Sequence, residues 1–179
     1  MLLSATPGTL TAHADTTIVR EIRPGVTHIA MVRQEGPWRI NVLAIDLRQS
    51  DLSLRSARAF DRLRGRETTS SIADRFPVSD GATVAAMNAD FFSLETGESV
   101  NSQVIEGTFV KGIGGRHARP RSQFGVTREG RPFVARIMYR GVALLPEGGR
   151  VPLGGVNILP DSGWGTLFNQ YYGERVPDS

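Results

Sequence analysis

The sequence predicts an α+β fold, a strand-rich mixed or antiparallel sheet with few short helices, on two observations. Pro24-Gly25, Gly36-Pro37, Glu106-Gly107, Glu129-Gly130 and Gly148-Gly149 cut the chain into short apolar runs, the pattern of strands joined by tight turns. Before residue 130 a single stretch, Ser71 to Phe76, reads as helix, so strands and helices do not alternate and a doubly wound parallel sheet is excluded. At 179 residues the chain fits one domain with a sizeable core, here bounded as 16–179 after a leader.

Taken in order, Thr17 to Arg23 and Thr27 to Arg33 read as strands around Pro24-Gly25, and Gln34 to Pro37 as the next turn. Trp38 to Leu47 carries Ile40 and Val42 on one side and Leu43, Ile45 and Leu47 on the other, which predicts a strand covered on both faces. Asp51 to Arg58 adds a strand through Leu52 and Leu54. Arg62 to Arg66 is a charged link, and Thr68 to Ser71 offers N-caps for a helix that Pro77 stops. Ser79-Asp80-Gly81 then turns into a central buried strand at Thr83 to Met87.

Further on, Gln103 to Ile105 and Thr108 to Val110 form a hairpin around Glu106-Gly107. Gly112 to Pro120, rich in Gly and Arg, reads as a mobile loop. Ser122 to Thr127 and Pro132 to Tyr139 make a second hairpin, and Val142 to Leu145 and Val151 to Ile158 flank the glycines at 148 and 149. Asp161 to Ser179 presents Trp164, Phe168, Tyr171 and Tyr172, which want a core or partner surface. The domain therefore reads as C-terminally incomplete, the front part of a longer one.

Composition narrows the function. The 21 basic residues include one lysine, Lys111, and 18 carboxylates lie among them, for a net charge of +3. That interspersion describes a solvated surface, not a nucleic-acid track; a GC-rich coding sequence would also favour arginine. With no cysteine, disulfides, thiolate catalysis and Cys-based zinc sites are excluded. His13, His28 and His117 are too far apart for a metalloprotease helix and read as surface or turn residues, and no spacing identifies a metal or cofactor. No apolar run reaches the length of a membrane span. Ala12-His13-Ala14 resembles a signal-peptidase site, so residues 1–15 read as a signal-peptide remnant of an exported (periplasmic or extracellular) protein, or as a disordered leader.

The chemistry gathers at Asn88-Ala89-Asp90-Phe91-Phe92. At the end of an extended run, Asn88 and Asp90 share one side of the backbone and would offer an amide and an acid to a polar ligand; equally, they could satisfy backbone donors at a strand end. Ser93 to Glu98 continues as a polar turn.

Five segments in order carry a resemblance: 36–43 (GPWRINVL), 65–68 (GRET), 86–92 (AMNADFF), 96–98 (TGE) and Arg121-Ser122 before Gly125-Val126. Together they resemble the phosphodiester glycosidase family over about residues 25–158, with Ala89 standing where the family has glycine. Bacterial members are associated with exopolysaccharide. The family's Asp-Gly-Gly-Gly-Ser segment does not occur here, and Gly154-Gly155 does not replace it.

The resemblance implies hydrolysis of a sugar-1-phosphodiester of N-acetylglucosamine type, with a carbohydrate or sugar-phosphate as substrate. Glycosidic cleavage uses carboxylates, and a phosphomonoester leaves readily as an anion that arginine recognises through its fork. Asp90 is the candidate catalytic carboxylate, with Glu67 and Glu98 as alternative partners and Asn88 holding a sugar hydroxyl or acetamido group. Arg66, Arg121 and Ser122 are candidates for phosphate, and Glu98 for the substrate. Plainer roles stand beside these: surface ion pairs for Arg66 and Arg121, the helix start for Glu67, a solvated loop acid for Glu98. The alternative function is a non-catalytic carbohydrate-binding or envelope module of the same fold.

Overall fold

Three strands form around the first two turns: β1 (Thr16–Arg23), β2 (Val26–Arg33) and β3 (Trp38–Ile45), an antiparallel meander with β2 in the middle. The computed structural model describes residues 15–76, 82–116, 118–159 and 163–177; His13, His117, residues 1–14 and the expected turn at Ser79-Asp80-Gly81 lie outside them. The chain divides into two compact units, Met1–Leu52 and Ser53–Ser179.

In the first unit Gly25 takes φ +82°, and its carbonyl accepts the Asp46 N–H at 2.8 Å, which closes the end of the sheet. Asp15 accepts from Arg33 Nη1 and from the Gln34 N–H. His28 lies in β2, not in a turn, with Nε2 2.9 Å from Asn41 Oδ1. The expected burial of both faces of β3 is not found among the described residues: Trp38, Ile40, Val42 and Ile45 are all exposed. A single three-stranded layer cannot bury both of its own faces, and the apolar pattern of a strand says nothing about what lies over it. Nor does 51–58 form a strand; within the second unit it is held by side chains, Arg55 to Glu106 and Gln103 Nε2 to Ser56 Oγ.

The second unit is built on a mixed sheet. It contains β4 (Gln103–Ile105), β5 (Thr108–Ile113), β8 (Gly141–Leu144), β9 (Arg150–Val156) and β10 (Gly165–Leu167), in the order β10-β9-β5-β4 with β8 also on β9. The β9–β10 pairing is parallel and the others antiparallel. A separate hairpin joins β6 (Arg121–Val126) to β7 (Pro132–Ile137). The two hairpins expected from the sequence are present, and the strands flanking the glycines at 148 and 149 pair as well; at the first hairpin Glu106 and Gly107 both have positive φ, as a two-residue turn requires.

The helix α1 (Thr69–Arg75) starts two residues earlier than expected, because Thr68 is the N-cap and accepts the Ser71 N–H at 3.2 Å. A strand-rich fold of mostly antiparallel sheets with one short helix is thus the architecture among the described residues. The central strand expected at Thr83 to Met87 is absent; this segment pairs with no strand, and Met87 is exposed. An apolar run needs a neighbouring ladder to become a strand, and none of the described strands pairs with this one. The expected mobile loop is also corrected at its start. Gly112 and Ile113 belong to β5, and the Gly114 N–H bonds to the Gly154 carbonyl at 2.9 Å. A Cβ on Gly114 would come within 2.6 Å of the Tyr139 carbonyl oxygen, so glycine here allows close packing, not mobility.

Val110, Val156 and Asn157 are fully buried where β5 meets β9. Asn157, at φ +55°, gives its Nδ2 hydrogens to Val110 O at 2.8 Å and Asn169 Oδ1 at 2.7 Å, while its Oδ1 accepts the Asn169 N–H at 3.0 Å. Asn169 in turn donates to Phe109 O and accepts from the Tyr171 N–H. Two asparagines thereby fasten the C-terminal aromatic segment to the sheet, and the Phe168 and Tyr172 rings pack edge to face at 4.6 Å.

Asn157→Ala removes these bonds and leaves buried backbone groups unpaired at a positive-φ position. We expect it to lower stability by about 2–4 kcal/mol in urea unfolding. A loss below about 0.5 kcal/mol, the size of an ordinary surface change, would show that the network is not what holds this segment.

Candidate functional site: two clefts that share the 98–101 segment

The turn after Asp90 positions both clefts. The Gly97 N–H bonds to Ser93 O, the Ser93 N–H to Glu98 O and the Val100 N–H to Phe91 O, so residues 91–100 fold back on themselves, with Phe92 bridged to Ser99. Gly97 has φ +74° and lies against Gly65, where any Cβ would overlap the Gly65 carbonyl. The Gly65 N–H donates to Thr96 O, Arg66 Nη1 to Leu94 O at 2.9 Å, and Arg58 Nη2 to Gly97 O at 2.9 Å. Arg66, a candidate phosphate ligand, thus braces this turn.

Asn88 and Asp90 do not act from one face of a strand. Asn88 Oδ1 accepts from Thr69 Oγ1 at 2.7 Å, at the start of α1. Asp90 Oδ1 accepts from the Phe91 N–H and from Asn101 Nδ2, and Oδ2 accepts the Asn101 N–H at 3.2 Å. The Asp90 carboxylate therefore sets both the backbone and the side chain of Asn101.

Asn101 lines the first cleft, of about 480 Å³, with Pro120, Arg121, Ser122 and Arg136. Two of the expected substrate residues, Arg121 and Ser122, meet here, joined through Asn101 to Asp90. Arg136 stands directly opposite Ser122 in the β6–β7 register and donates to Pro120 O. The sequence reading missed Arg136: a two-residue turn at Glu129-Gly130 puts Ile137 across from Ser122, and only the observed register, shifted by one residue, brings Arg136 there. Two guanidinium groups, a hydroxyl and an amide line this cleft with hydrogen-bond donors, a chemistry suited to an anion.

Glu98 lines a second cleft, of about 410 Å³, with Arg64, Lys111 and Tyr172. Glu98 Oε1 pairs with Lys111 Nζ at 2.7 Å and Oε2 with Arg64 Nε at 3.2 Å. Burial pushes the Glu98 carboxyl up, but Lys111 and Arg64 outweigh it and hold it below its ordinary value. Burial lowers the pKa of Arg58, against the opposing pull of the Glu98 and Asp90 charges. No sequence pattern marks Arg58 as the group that lies near both carboxylates.

Glu67, expected as a catalytic partner, is occupied elsewhere. Its carboxylate takes Nε and Nη2 of Arg75, the Ser71 hydroxyl and the Phe60 N–H, and its side chain is only 5% exposed. Hydrogen bonds from Arg75 above all, then from the Phe60 N–H and Ser71, hold the carboxyl pKa down to about 2 against the opposing effect of burial. Arg75 also reaches Asp61 and the Arg58 carbonyl, so Glu67 anchors α1 to the turn at 59–61. A saturated carboxylate of this kind is a structural anchor, not an acid or base.

Among the described residues no group of three or more His, Asp or Glu could hold a metal ion, and no helix is long and apolar enough to cross a membrane. No protein-family model, curated protein or solved structure matches the chain.

Because the folded pKa of Glu67 is depressed, its contribution to stability is complete above the ordinary value of 4.5 and disappears as pH falls toward about 2. The gap in urea midpoint between wild type and Glu67→Gln should therefore be constant above about pH 5 and close progressively below it. A gap independent of pH down to about pH 2 would sink this account of Glu67.

Proposed function

We propose that the chain recognises a sugar-1-phosphodiester of N-acetylglucosamine type and hydrolyses its sugar–oxygen bond. The observation that carries the reading is the convergence of Arg121, Arg136, Ser122 and Asn101 on one open cleft, with Asp90 behind Asn101. Two guanidinium forks match the oxygens of a phosphodiester, and the hydroxyl and amide add neutral donors. The five ordered segments that resemble phosphodiester glycosidases point the same way.

In this scheme water adds to the anomeric carbon as the bond from that carbon to the phosphate oxygen breaks. The electron pair leaves with the phosphomonoester, and Asp90 takes the proton of the water. Asp90 Oδ2 accepts a single hydrogen bond among the described residues, which leaves it a lone pair for that proton. Arg121 and Arg136 oppose the negative charge that grows on the leaving group. The protein is proposed to act on an envelope or exopolysaccharide glycoconjugate outside the cytoplasm.

A second reading, a carbohydrate-binding module without catalysis, is favoured by one observation: among the described residues no carboxylate lines the arginine cleft, and Asp90 is engaged with Asn101. The two separate in one assay, release of free N-acetylglucosamine from UDP-N-acetylglucosamine. Asp90→Asn should lower release at least about 100-fold, and Arg136→Ala should weaken binding of N-acetylglucosamine 1-phosphate about 10-fold. Binding without release by the folded chain selects the module; neither binding nor release overturns both readings.

A further inference from the structure

The cleft around Lys111 has a chemistry that the arginine cleft does not. Lys111 is the only lysine of the chain, and its side chain is 12% exposed. Its Nζ bonds to Ser99 O and Glu98 Oε1, both at 2.7 Å, so one of the three ammonium hydrogens is unused among the described residues. Arg64 gives Nε to Glu98, while its two terminal amino groups donate to no described residue; its guanidinium sits 5.5 Å from the Tyr172 ring centroid. Ile113, Ile158 and Leu159 add aliphatic lining to the same cleft.

We infer that this cleft is a second binding site, for a small molecule that carries a carboxylate beside an apolar face. Charge selects the class. Arg64 and Lys111 together bring two positive charges, and Glu98 cancels one of them. A monoanion neutralises the remainder, whereas a phosphate dianion would leave excess negative charge against Glu98. The terminal edge of Arg64 matches the two oxygens of a carboxylate, with the third hydrogen of Lys111 beside it. Ile113, Ile158 and Leu159 remove an apolar flank from water. A volume of about 410 Å³ admits a molecule of monosaccharide size. A free aliphatic acid and a sugar acid of a polysaccharide share this chemistry.

The single lysine supplies the measurement, which does not depend on hydrolysis and so stands or falls apart from the proposed activity. The full chain is acetylated with an N-hydroxysuccinimide ester, and modification of Lys111 is followed by peptide mass spectrometry, with the N-terminal amine as internal control. Hexanoate or glucuronate should slow acetylation of Lys111 at least about fivefold relative to chloride at equal ionic strength. Arg64→Gln keeps the fold because its side chain is 55% exposed, and it should raise the protecting concentration about tenfold. Protection by hexanoate alone assigns the site to aliphatic acids, by glucuronate alone to sugar acids, and by both to carboxylates in general. Protection by neither acid, or equal protection by chloride, overturns the inference.

Discussion

A half-buried guanidinium holds the second unit's loops in register. Arg58 Nη2 donates to Leu63 O at 2.5 Å and to Gly97 O at 2.9 Å, two carbonyls from segments more than thirty residues apart in sequence. Its own carbonyl accepts from Arg75 of α1. Leu63, fully buried, passes the constraint on, since its N–H donates to Tyr171 O in the C-terminal segment. Arginine suits this task because its planar, permanently charged fork can satisfy several backbone acceptors at once. The Glu98 and Asp90 charges favour its charged form in a place where burial opposes it.

The two clefts follow from this frame. Gly97, pressed against Gly65, fixes where Glu98 emerges, and the fold-back of 91–100 brings Asn101 within reach of the Asp90 carboxylate. One short segment thus presents an acid to the Lys111 cleft and an amide to the arginine cleft. The first is an ion triad with one positive charge in excess; the second is lined by two guanidinium groups with neutral polar groups beside them. Their chemistries differ because Glu98 lines one and, among the described residues, no carboxylate lines the other, although residues 98 and 101 are near neighbours in the chain.

Local patterning was legible where structure is local. The turns at Gly25, Gly107 and Gly130 each adopt positive φ, and the strands on either side pair as their apolar alternation suggests. Thr68 caps α1 through its own hydroxyl, an interaction contained within four residues. Arg121, Ser122 and Asp90 read as site residues because of their chemical type. The grouping failed at Glu67, whose nearness in sequence to Arg66 conceals its bond to Arg75. It failed again at 83–87, where an apolar run without a neighbouring ladder stays outside the sheets.

By itself, then, the sequence determined the hairpins, the helix cap, the preference for strands and the absence of thiol chemistry, because each depends on backbone preference or composition within a short span. Only the tertiary structure decided that Arg58 would clasp Leu63 and Gly97, that Arg136 would join Ser122 in one cleft, and that Glu98 would face Lys111 and Arg64 in another. Those choices depend on which carbonyls and charges are brought close and out of water, a property of segments far apart in the chain that no local pattern encodes.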